Sequence, residues 1–194
     1  MEDLEAVIGE GRALELSFDS ETHELGAENW TASLYNLEDP EDENGRPTRE
    51  LIASAVIVRV HRWDDDWLDS LDAASGDLAT VGAAFEDMDL IESIDPEAAF
   101  VPGLVILDFV SVPEQHRGSK SSHALARGVA YIFRSDLVAL IPAELSQDTT
   151  GQIIRDAPKE AALRSHWRRG GFLEIPGTSV LMLPLGGRTE RQTP

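Results

Sequence analysis

The stretch LVILDFVSVPEQHRGSKSSHALARGVAYIF, residues 104–133, predicts a strand, a tight turn and a helix in immediate succession. Its first nine residues, Leu104–Val112, are apolar except for Asp108 and Ser111 and rich in β-branched types, which is the pattern of a strand buried on both faces. Pro113 ends that strand, and a helix with an apolar stripe follows. The stripe is formed by Leu125, Val129, Ile132 and Phe133.

The turn between this strand and helix has the composition of an anion-binding site. Arg117 and Gly118 precede a serine-rich run that opens the helix, and Lys120 adds a second positive charge. Unpaired backbone N–H groups and the positive end of the helix dipole converge at such a helix N-terminus. Taken alone, the same residues also suit an ordinary strand and helix joined by a solvated turn.

The segment Val112–Leu125 resembles the cofactor-binding motif of the GNAT superfamily of N-acetyltransferases, Q/R-x-x-G-x-G/A between a strand and a helix. Arg117 falls on the first position of that signature, whereas Lys120 and Ser122 stand where the signature has glycines. The resemblance implies that the loop holds the pyrophosphate of acetyl-CoA and that the preceding strand binds the pantetheine arm. The implied cofactor-binding residues are Phe109, Val110, Val112, Gln115, His116, Arg117, Gly118, Ser119, Lys120, Ser121 and Ser122.

The chain beyond this motif extends the resemblance. Leu137–Ile141 predicts a fifth strand, parallel to the strand of the motif, and Lys159–Phe172 predicts a helix. This helix ends Trp167-Arg168-Arg169-Gly170-Gly171-Phe172, which is similar to the ending of the corresponding helix in many GNAT proteins. Glycine suits the position after a helix because it adopts the left-handed conformation there.

A hairpin completes the region of resemblance, which covers about residues 104–185. Leu173–Ile175 and Ser179–Leu185 predict its two strands, joined around Pro176-Gly177. The resemblance therefore implies an α/β (α+β) fold, with a mixed, mostly antiparallel sheet flanked by helices and a βαβ unit that binds the cofactor.

The first hundred residues predict strands followed by a helical tract. The strand segments are Arg12–Phe18, Trp30–Leu37 and Leu51–His61. Between the last two, Leu37–Arg49 has the composition of a charged, mobile loop. Asp64 to about Ser93 predicts helix, broken near Gly76 and Gly82. The common GNAT order has two helices between the first and second strands. In this chain the helices are expected between the third and fourth strands instead.

Charge is divided unevenly along the chain. Residues 1–100 hold 27 Asp and Glu against 5 Lys and Arg, a net charge of −22, whereas residues 101–194 hold 9 against 11, a net of +2. This division suits a polyanionic cofactor in the second half and attraction of a cationic amine acceptor by the first. The expected acceptor contact is the acidic tract Trp63, Asp64, Asp65, Asp66 and Trp67. Its acids would neutralise an ammonium and its indoles would bind one by cation–π attraction. The alternatives are that the acidic half serves only solubility and that the tract is merely the exposed start of a helix, where aspartates complement the dipole.

Asp108 is the candidate general base for acetyl transfer. Strand alternation places it on one face with four apolar residues, Leu104, Ile106, Val110 and Val112. Desolvation there raises a carboxyl pKa, which favours proton abstraction from an amine; a carboxylate that caps neighbouring backbone is the alternative. The resemblance implies that backbone N–H groups of residues 109–112 polarise the thioester.

The proton donor to the leaving thiolate is not evident from the sequence. Many GNAT proteins carry a tyrosine where this chain has Trp167, and an indole cannot supply a proton at neutral pH. His166 is expected to point elsewhere on the helix, and Tyr131 lies on the wrong helix for the usual geometry, so either water is the acid or the protein has lost catalysis. Two alternative functions follow: a non-catalytic GNAT-like module that binds CoA or a protein partner, and an acidic protein that mimics nucleic acid and takes no cofactor.

Length and composition set further bounds. We expect one domain over residues 1–185, with residues 1–100 on the acceptor side and 101–185 on the acetyl-CoA side, and a flexible tail at 186–194. The absence of cysteine excludes disulfides and thiolate nucleophiles, and the five histidines lack ligand spacing, so no metal is expected.

Location and partners follow from what the sequence lacks. No run approaches the roughly 18 apolar residues of a membrane span, and the acidic N-terminus does not match a signal peptide, so a cytoplasmic protein off the membrane is expected. Without a basic stripe, nucleic acid is not an expected partner, whereas a homodimer is left open.

Overall fold

The computed structural model describes residues 4–19, 26–38, 48–143, 146–147, 153–154 and 157–185. The α-helices in these residues are α1 (Leu4–Ile8), α2 (Trp67–Ala74), α3 (Gly76–Ala84), α4 (Met88–Ile94), α5 (Ser121–Ile132) and α6 (Ala157–Arg169). The strands are β1 (Arg12–Asp19), β2 (Glu28–Glu38), β3 (Thr48–His61), β4 (Gly103–Ser111), β5 (Asp136–Leu140), β6 (Ser146–Gln147), β7 (Ile153–Ile154), β8 (Leu173–Glu174) and β9 (Leu181–Leu183). Short 3-10 turns lie at Ala98–Phe100 and Glu114–His116.

Seven of these strands form one sheet in the order β1-β2-β3-β4-β5-β9-β8, and β6 pairs with β7 separately. Every neighbouring pair in the large sheet is antiparallel except β4 with β5. Those two strands are joined through α5, because a parallel pair needs a crossover connection that returns the chain to the same end of the sheet. The predicted α/β (α+β) class, a mixed, mostly antiparallel sheet with a βαβ unit, is confirmed.

Two hydrophobic clusters cover opposite faces of the sheet. In β4, Val105 and Leu107 belong to the cluster that contains residues of α1, α5 and α6, whereas Leu104 and Ile106 belong to the cluster beneath α2, α3 and α4. Burial of each such side chain contributes roughly 1.5–3 kcal/mol, so both helical layers are held to the sheet mainly by these contacts.

The first half of the chain follows the predicted order, with three strands and then helices before β4. A helix break near Gly76 is confirmed, since Ser75 separates α2 from α3 and its side chain accepts a hydrogen bond from the backbone N–H of Leu78 at 3.1 Å. The predicted break at Gly82 is wrong. Gly82 lies inside α3, where a Cβ atom would stand 2.9 Å from the Leu68 side chain, so the residue serves close packing of α3 on α2. The break comes instead at residues 85–87.

Three differences concern segments without a strong sequence signal. Helix α1 and the β6–β7 pair were not predicted, and both are too short to show a periodic pattern. The predicted loop Leu37–Arg49 is shorter than expected, because β2 extends to Glu38 and β3 begins at Thr48. Residues 39–47 of that loop and the predicted tail, 186–194, lie outside the described residues.

The two helices beside the parallel strands are positioned by their ends and by their buried faces. On α5, Leu125 and Val129 are fully buried as predicted, but Ile132 is exposed, and small residues such as Ala126 complete the buried face. After α6, the backbone N–H groups of Gly171 and Phe172 donate to the carbonyls of Arg168 and Trp167 at 3.0 and 3.2 Å. Gly171 has a φ of 102°, which completes a Schellman motif and confirms the predicted glycine ending.

In the part of the chain that the structure describes, no helix is long and apolar enough to cross a bilayer.

Candidate active site

A cavity opens where β4 and β5 separate. The two strands pair over four residues each, ending with Ile106 opposite Ala139, while β4 continues to Ser111 with β3 on its other side. The edge of β4 that faces β5 is therefore open beyond Ile106. The cavity of about 740 Å³ that occupies this opening lies within the size range of small-molecule sites.

Both helical layers contribute to the cavity wall. Residues of α3 close it on one face of the sheet, and residues of α6 and the start of α5 close it on the other. The end of β5 and the residues after it, Leu140 to Ala143, form the side opposite β4. The cavity thus runs along an exposed strand edge between two walls of different charge and polarity.

Asp108 occupies a β-bulge at the centre of this opening. Phe109 pairs with Val56 of β3, and Leu107 pairs with the next residue, Ile57, so Asp108 is the extra residue between the two pairs. The bulge reverses the alternation of β4. Beyond it, Val110 joins the α5 side of the sheet with Leu107 instead of the α3 side with Ile106.

The predicted common face of Leu104, Ile106, Asp108, Val110 and Val112 is therefore wrong. Val112, like Val110, packs with the α5 cluster. The physical reason is the inserted residue, because a one-residue shift turns every later side chain to the other face.

The Asp108 carboxyl group is exposed toward the cavity but is still affected by its walls. Partial desolvation raises its pKa above the ordinary value, and the negative charge of Asp77 on α3 raises it further. Both residues line the cavity. A carboxylate with a raised pKa accepts a proton more readily than a fully solvated one, which suits proton exchange with a bound base.

The loop after β4 forms one end of the cavity. Gly118 has a φ of 80°, and no atom lies within 4 Å of the position that a Cβ would take, so the loop backbone faces open space. Arg117 and Ser119 line the cavity beside it. The hydroxyl of Ser119 accepts a hydrogen bond from the backbone N–H of Ser121 at 3.2 Å, which fixes the first turn of α5.

The eleven residues expected to bind the cofactor fall into two groups. Those on the cavity wall are Phe109, Val110, Val112, Arg117, Gly118, Ser119 and Ser122. The others lie outside the wall: Gln115, His116, Lys120 and Ser121. His116 contacts β3 instead, with its Nε2 atom 2.9 Å from Oε1 of Glu50. Gln115 and Lys120 are exposed, and Ser121 is buried under the turn.

His166 faces the cavity, so the prediction that it points elsewhere on its helix is wrong. Its Nε2 atom lies 2.8 Å from the Ser122 hydroxyl oxygen, which ties α6 to the start of α5. Its ring lies against that of His123, with centroids 4.1 Å apart, and the His123 Nε2 atom is 3.0 Å from the His166 carbonyl oxygen. Trp167, next on the helix, is buried and also lines the cavity.

Both histidines are held in the neutral form. Burial, and then the neighbouring His166, lower the pKa of His123 to about 4. Burial, and then the positive charge of Arg169, also lower the pKa of His166. At neutral pH each ring therefore offers one N–H donor and one bare nitrogen.

Three ionisable wall residues lie in helices where the sequence predicted no site residue: Asp77 on α3, and Lys159 and His166 on α6. The strand-turn-helix motif can be recognised because it lies in one stretch of sequence. These three residues come from distant segments, and only the tertiary fold brings them to the cavity. For His166, the sequence shows only that the residue lies in the last turns of α6, before the glycines that end the helix. Which face of α6 turns toward α5 and the cavity is decided by helix packing, and the sequence alone does not show it.

The acidic tract lies away from the cavity wall. Asp64, Asp65 and Asp66 form an exposed turn before α2, and Trp63 is 68% exposed. Trp67 packs on the core beneath α2. None of these five residues lines the cavity, where the acidic side chains among the described residues are Asp77 and Asp108. Across the described ranges, no group of three or more His, Asp or Glu is arranged to hold a metal ion.

No family model matches this chain, and no curated protein matches it. Its structure is similar to that of arylalkylamine N-acetyltransferase 2 from Aedes aegypti, with a TM-score of 0.34 and 11% identity over 65% of this chain and 68% of that one. It is also similar to the polyamine N-acetyltransferase of Drosophila melanogaster, which forms N-acetylagmatine, with a TM-score of 0.33 and 14% identity over 79% of this chain and 71% of that one.

Proposed function

We propose that this protein is an acetyl-CoA-dependent N-acetyltransferase that moves an acetyl group directly to an amine. The observation that carries the proposal is the opening between β4 and β5, with a loop and helix N-terminus at one end and the Asp108 carboxyl group beside it on the open strand. A ligand along this opening would meet groups suited to phosphate, amide and amine in turn.

The loop fits a pyrophosphate. Gly118 leaves the backbone open to close approach, α5 directs its first-turn N–H groups toward the loop, and Arg117 adds a full positive charge on the cavity wall. Lys159, at the start of α6, lines the same cavity and adds a second cation. In this proposal Arg117, Gly118, Ser119 and Ser122 hold the phosphates of acetyl-CoA.

The open edge of β4 fits the pantetheine arm and the thioester. A strand edge presents a row of backbone N–H and C=O groups, and an extended chain with amide groups can pair with them as an added strand. We assign this role to Phe109, Val110 and Val112. Those of their backbone N–H groups that face the open edge, and not β3, would also stabilise charge on the thioester oxygen, because donors fixed in advance need no reorganisation.

Asp108 is assigned as the general base. It lies in the bulge beside these backbone groups, and its carboxyl pKa is raised by burial and by Asp77. In this role Asp108 takes a proton from the amine, directly or through one water, before or during attack on the acetyl group.

We further propose that the acceptor is a cationic amine. Among the described residues, Asp77 and Asp108 are the acidic side chains on the cavity wall, and Asp64, Asp65 and Asp66 add negative charge at an exposed turn before α2. Such a field raises the local concentration of cations and their rate of capture. In this proposal Trp63 and Trp67 contact the acceptor as it enters.

The test is binding followed by turnover. Acetyl-CoA at about a hundredfold excess over its dissociation constant should stabilise the fold by roughly 2.7 kcal/mol, seen as a rise in melting temperature. A panel of cationic, neutral and acidic amines should then release thiol from acetyl-CoA in that order of rate. No melting shift at millimolar acetyl-CoA would contradict the proposal.

A non-catalytic module that binds CoA or a protein partner is the second candidate. Three departures from the resembled motifs favour it: Lys120 and Ser122 at signature glycine positions, and Trp167 in place of a tyrosine. Binding of acetyl-CoA without thiol release across the amine panel would support this alternative.

A further inference from the structure

We propose that Ser122 and His166 form a second reactive pair on the cavity wall, in which Ser122 accepts an acyl group from short activated esters or thioesters. The substrate class is an acyl donor without a nucleotide, since a bound pyrophosphate would occupy the same helix N-terminus. The net reaction is hydrolysis of the donor by water, which needs no amine and is independent of the acetyl transfer proposed above.

The geometry of the pair is that of a nucleophile and its base. The Ser122 Oγ and His166 Nε2 atoms are 2.8 Å apart, within the range for direct proton transfer. Both residues line the cavity of about 740 Å³, which is large enough to admit a small acyl donor. A serine hydroxyl is a weak nucleophile alone, and an adjacent neutral imidazole is what activates it.

The surroundings hold His166 in one orientation. The His123 ring packs on it at 4.1 Å between centroids, and the Trp167 ring meets it edge-on at 5.4 Å. His123 also donates to the His166 carbonyl oxygen, which joins the two helices at this point. Gly170 makes room for this arrangement, because a Cβ there would stand 2.9 Å from the His123 ring. Burial and Arg169 lower the pKa of His166, so the imidazole is neutral and able to accept a proton at pH 7.

The start of α5 supplies the electrophilic side of the site. Ser122 is the second residue of the helix, and first-turn N–H groups have no partner within a helix. The N–H groups of Ser122 and His123 belong to this turn, and the helix dipole adds to their effect on a developing negative oxygen.

The steps balance without any further reactant. Ser122 Oγ bonds to the acyl carbon as its proton passes to His166 Nε2, the bond from that carbon to sulfur or to the ester oxygen breaks, and His166 returns the proton to the leaving group. Water then attacks the O-acyl serine with His166 as base, the Oγ–carbon bond breaks, and Ser122 recovers its proton. Ester or thioester and water thus become a carboxylic acid and an alcohol or thiol.

The experiment uses the full chain with p-nitrophenyl acetate and with S-acetyl-N-acetylcysteamine, in the absence of any amine. Samples quenched in acid are examined by intact mass and by peptide mapping. The expected result is an acetyl group on the peptide that contains Ser122, with a burst of about one equivalent of leaving group followed by slower, continued release as the acyl serine is hydrolysed. Absence of acetyl from Ser122 in the unaltered protein, whether no adduct forms or it forms elsewhere, would overturn the proposal.

Variants separate reactivity from packing. Ser122→Ala should abolish the adduct, and His166→Asn, which keeps a hydrogen-bonding side chain beside Ser122, should slow acylation by about 10²- to 10⁴-fold. The matched control is Ser93→Ala, which removes an exposed hydroxyl on α4, outside the cavity wall, and should leave acylation unchanged. Equal acylation rates in His166→Asn and the unaltered protein would show that the pair only joins two helices.

Discussion

Asp77 of α3 raises the pKa of Asp108 in the β4 bulge, adding to the larger effect of burial, although the two residues come from separate layers of the fold. One carboxylate thus adjusts the proton affinity of the other across a cavity. The relationship ties the proposed base to a residue that is far from it in sequence.

Asp108→Asn should lower the turnover of acetyl transfer by a factor of about 10² or more, because the amide cannot accept the proton of the attacking amine. Folding and acetyl-CoA affinity should be retained, since Asp108 is exposed toward the cavity and its bulge is a backbone feature. The measurement is kcat with saturating amine, beside a melting curve. Unchanged turnover would assign Asp108 a structural role.

Asp77→Asn should shift the acidic limb of the kcat/KM profile to lower pH. Asp108 acts as a base only when ionised, so the rate falls as pH drops through its pKa, which Asp77 raises. Removing that charge lets Asp108 ionise at lower pH. The profile is measured between pH 4 and 9 with one amine, and a limb that does not move would separate Asp77 from the base.

Arg117→Ala should weaken acetyl-CoA binding by about tenfold or more, because it removes a charged donor from the loop end of the cavity. Arg168→Ala is the matched control, since Arg168 is exposed on α6, away from the cavity wall, and removes the same charge. Isothermal titration with both variants makes the comparison. Equal losses would mean that net charge alone, and not the loop, attracts the cofactor.

The strand-turn-helix of β4 and α5 could be predicted because each part has a strong local signal: a β-branched apolar run, a proline stop and an amphipathic helix. The hairpin and the ending of α6 were predictable for the same reason, through glycines at positive φ such as Gly171 and Gly177. Local sequence signals therefore predict single helices and strands and where they end.

The orientation of the site residues could not be predicted in this way. The bulge at Asp108 has no glycine to mark it, and it exists because β4 and β3 pair in a register that leaves one residue over. The contact between Ser122 and His166 joins residues 44 positions apart and depends on how α6 packs against α5. Such relations belong to tertiary packing, and a single sequence contains no periodic signal for them.

His123 should make stability depend on pH in a defined direction. Its pKa is about 4 in the fold, against an ordinary value of 6.5, so between pH 6.5 and 4 the unfolded chain binds a proton that the folded chain does not. The contribution is complete above pH 6.5 and is lost as pH falls toward 4, by up to about 3 kcal/mol. Denaturant unfolding at several pH values should show a smaller dependence in His123→Gln than in the unaltered protein. Parallel curves would mean that His123 takes up its proton equally in both states.

The acidic tract should act on capture of the acceptor and not on chemistry, because Asp64, Asp65 and Asp66 are exposed and lie away from the cavity wall. Replacing all three by Asn should lower kcat/KM for a cationic amine at low salt and leave kcat unchanged. The difference should vanish as salt shortens the screening length from about 10 Å at 0.1 M to about 3 Å at 1 M. The matched control changes three exposed acids on or beside α4, Glu86→Gln, Asp89→Asn and Glu92→Gln, and so removes the same charge. If both triple variants lower kcat/KM equally, the whole acidic surface attracts the amine and the tract before α2 has no special role.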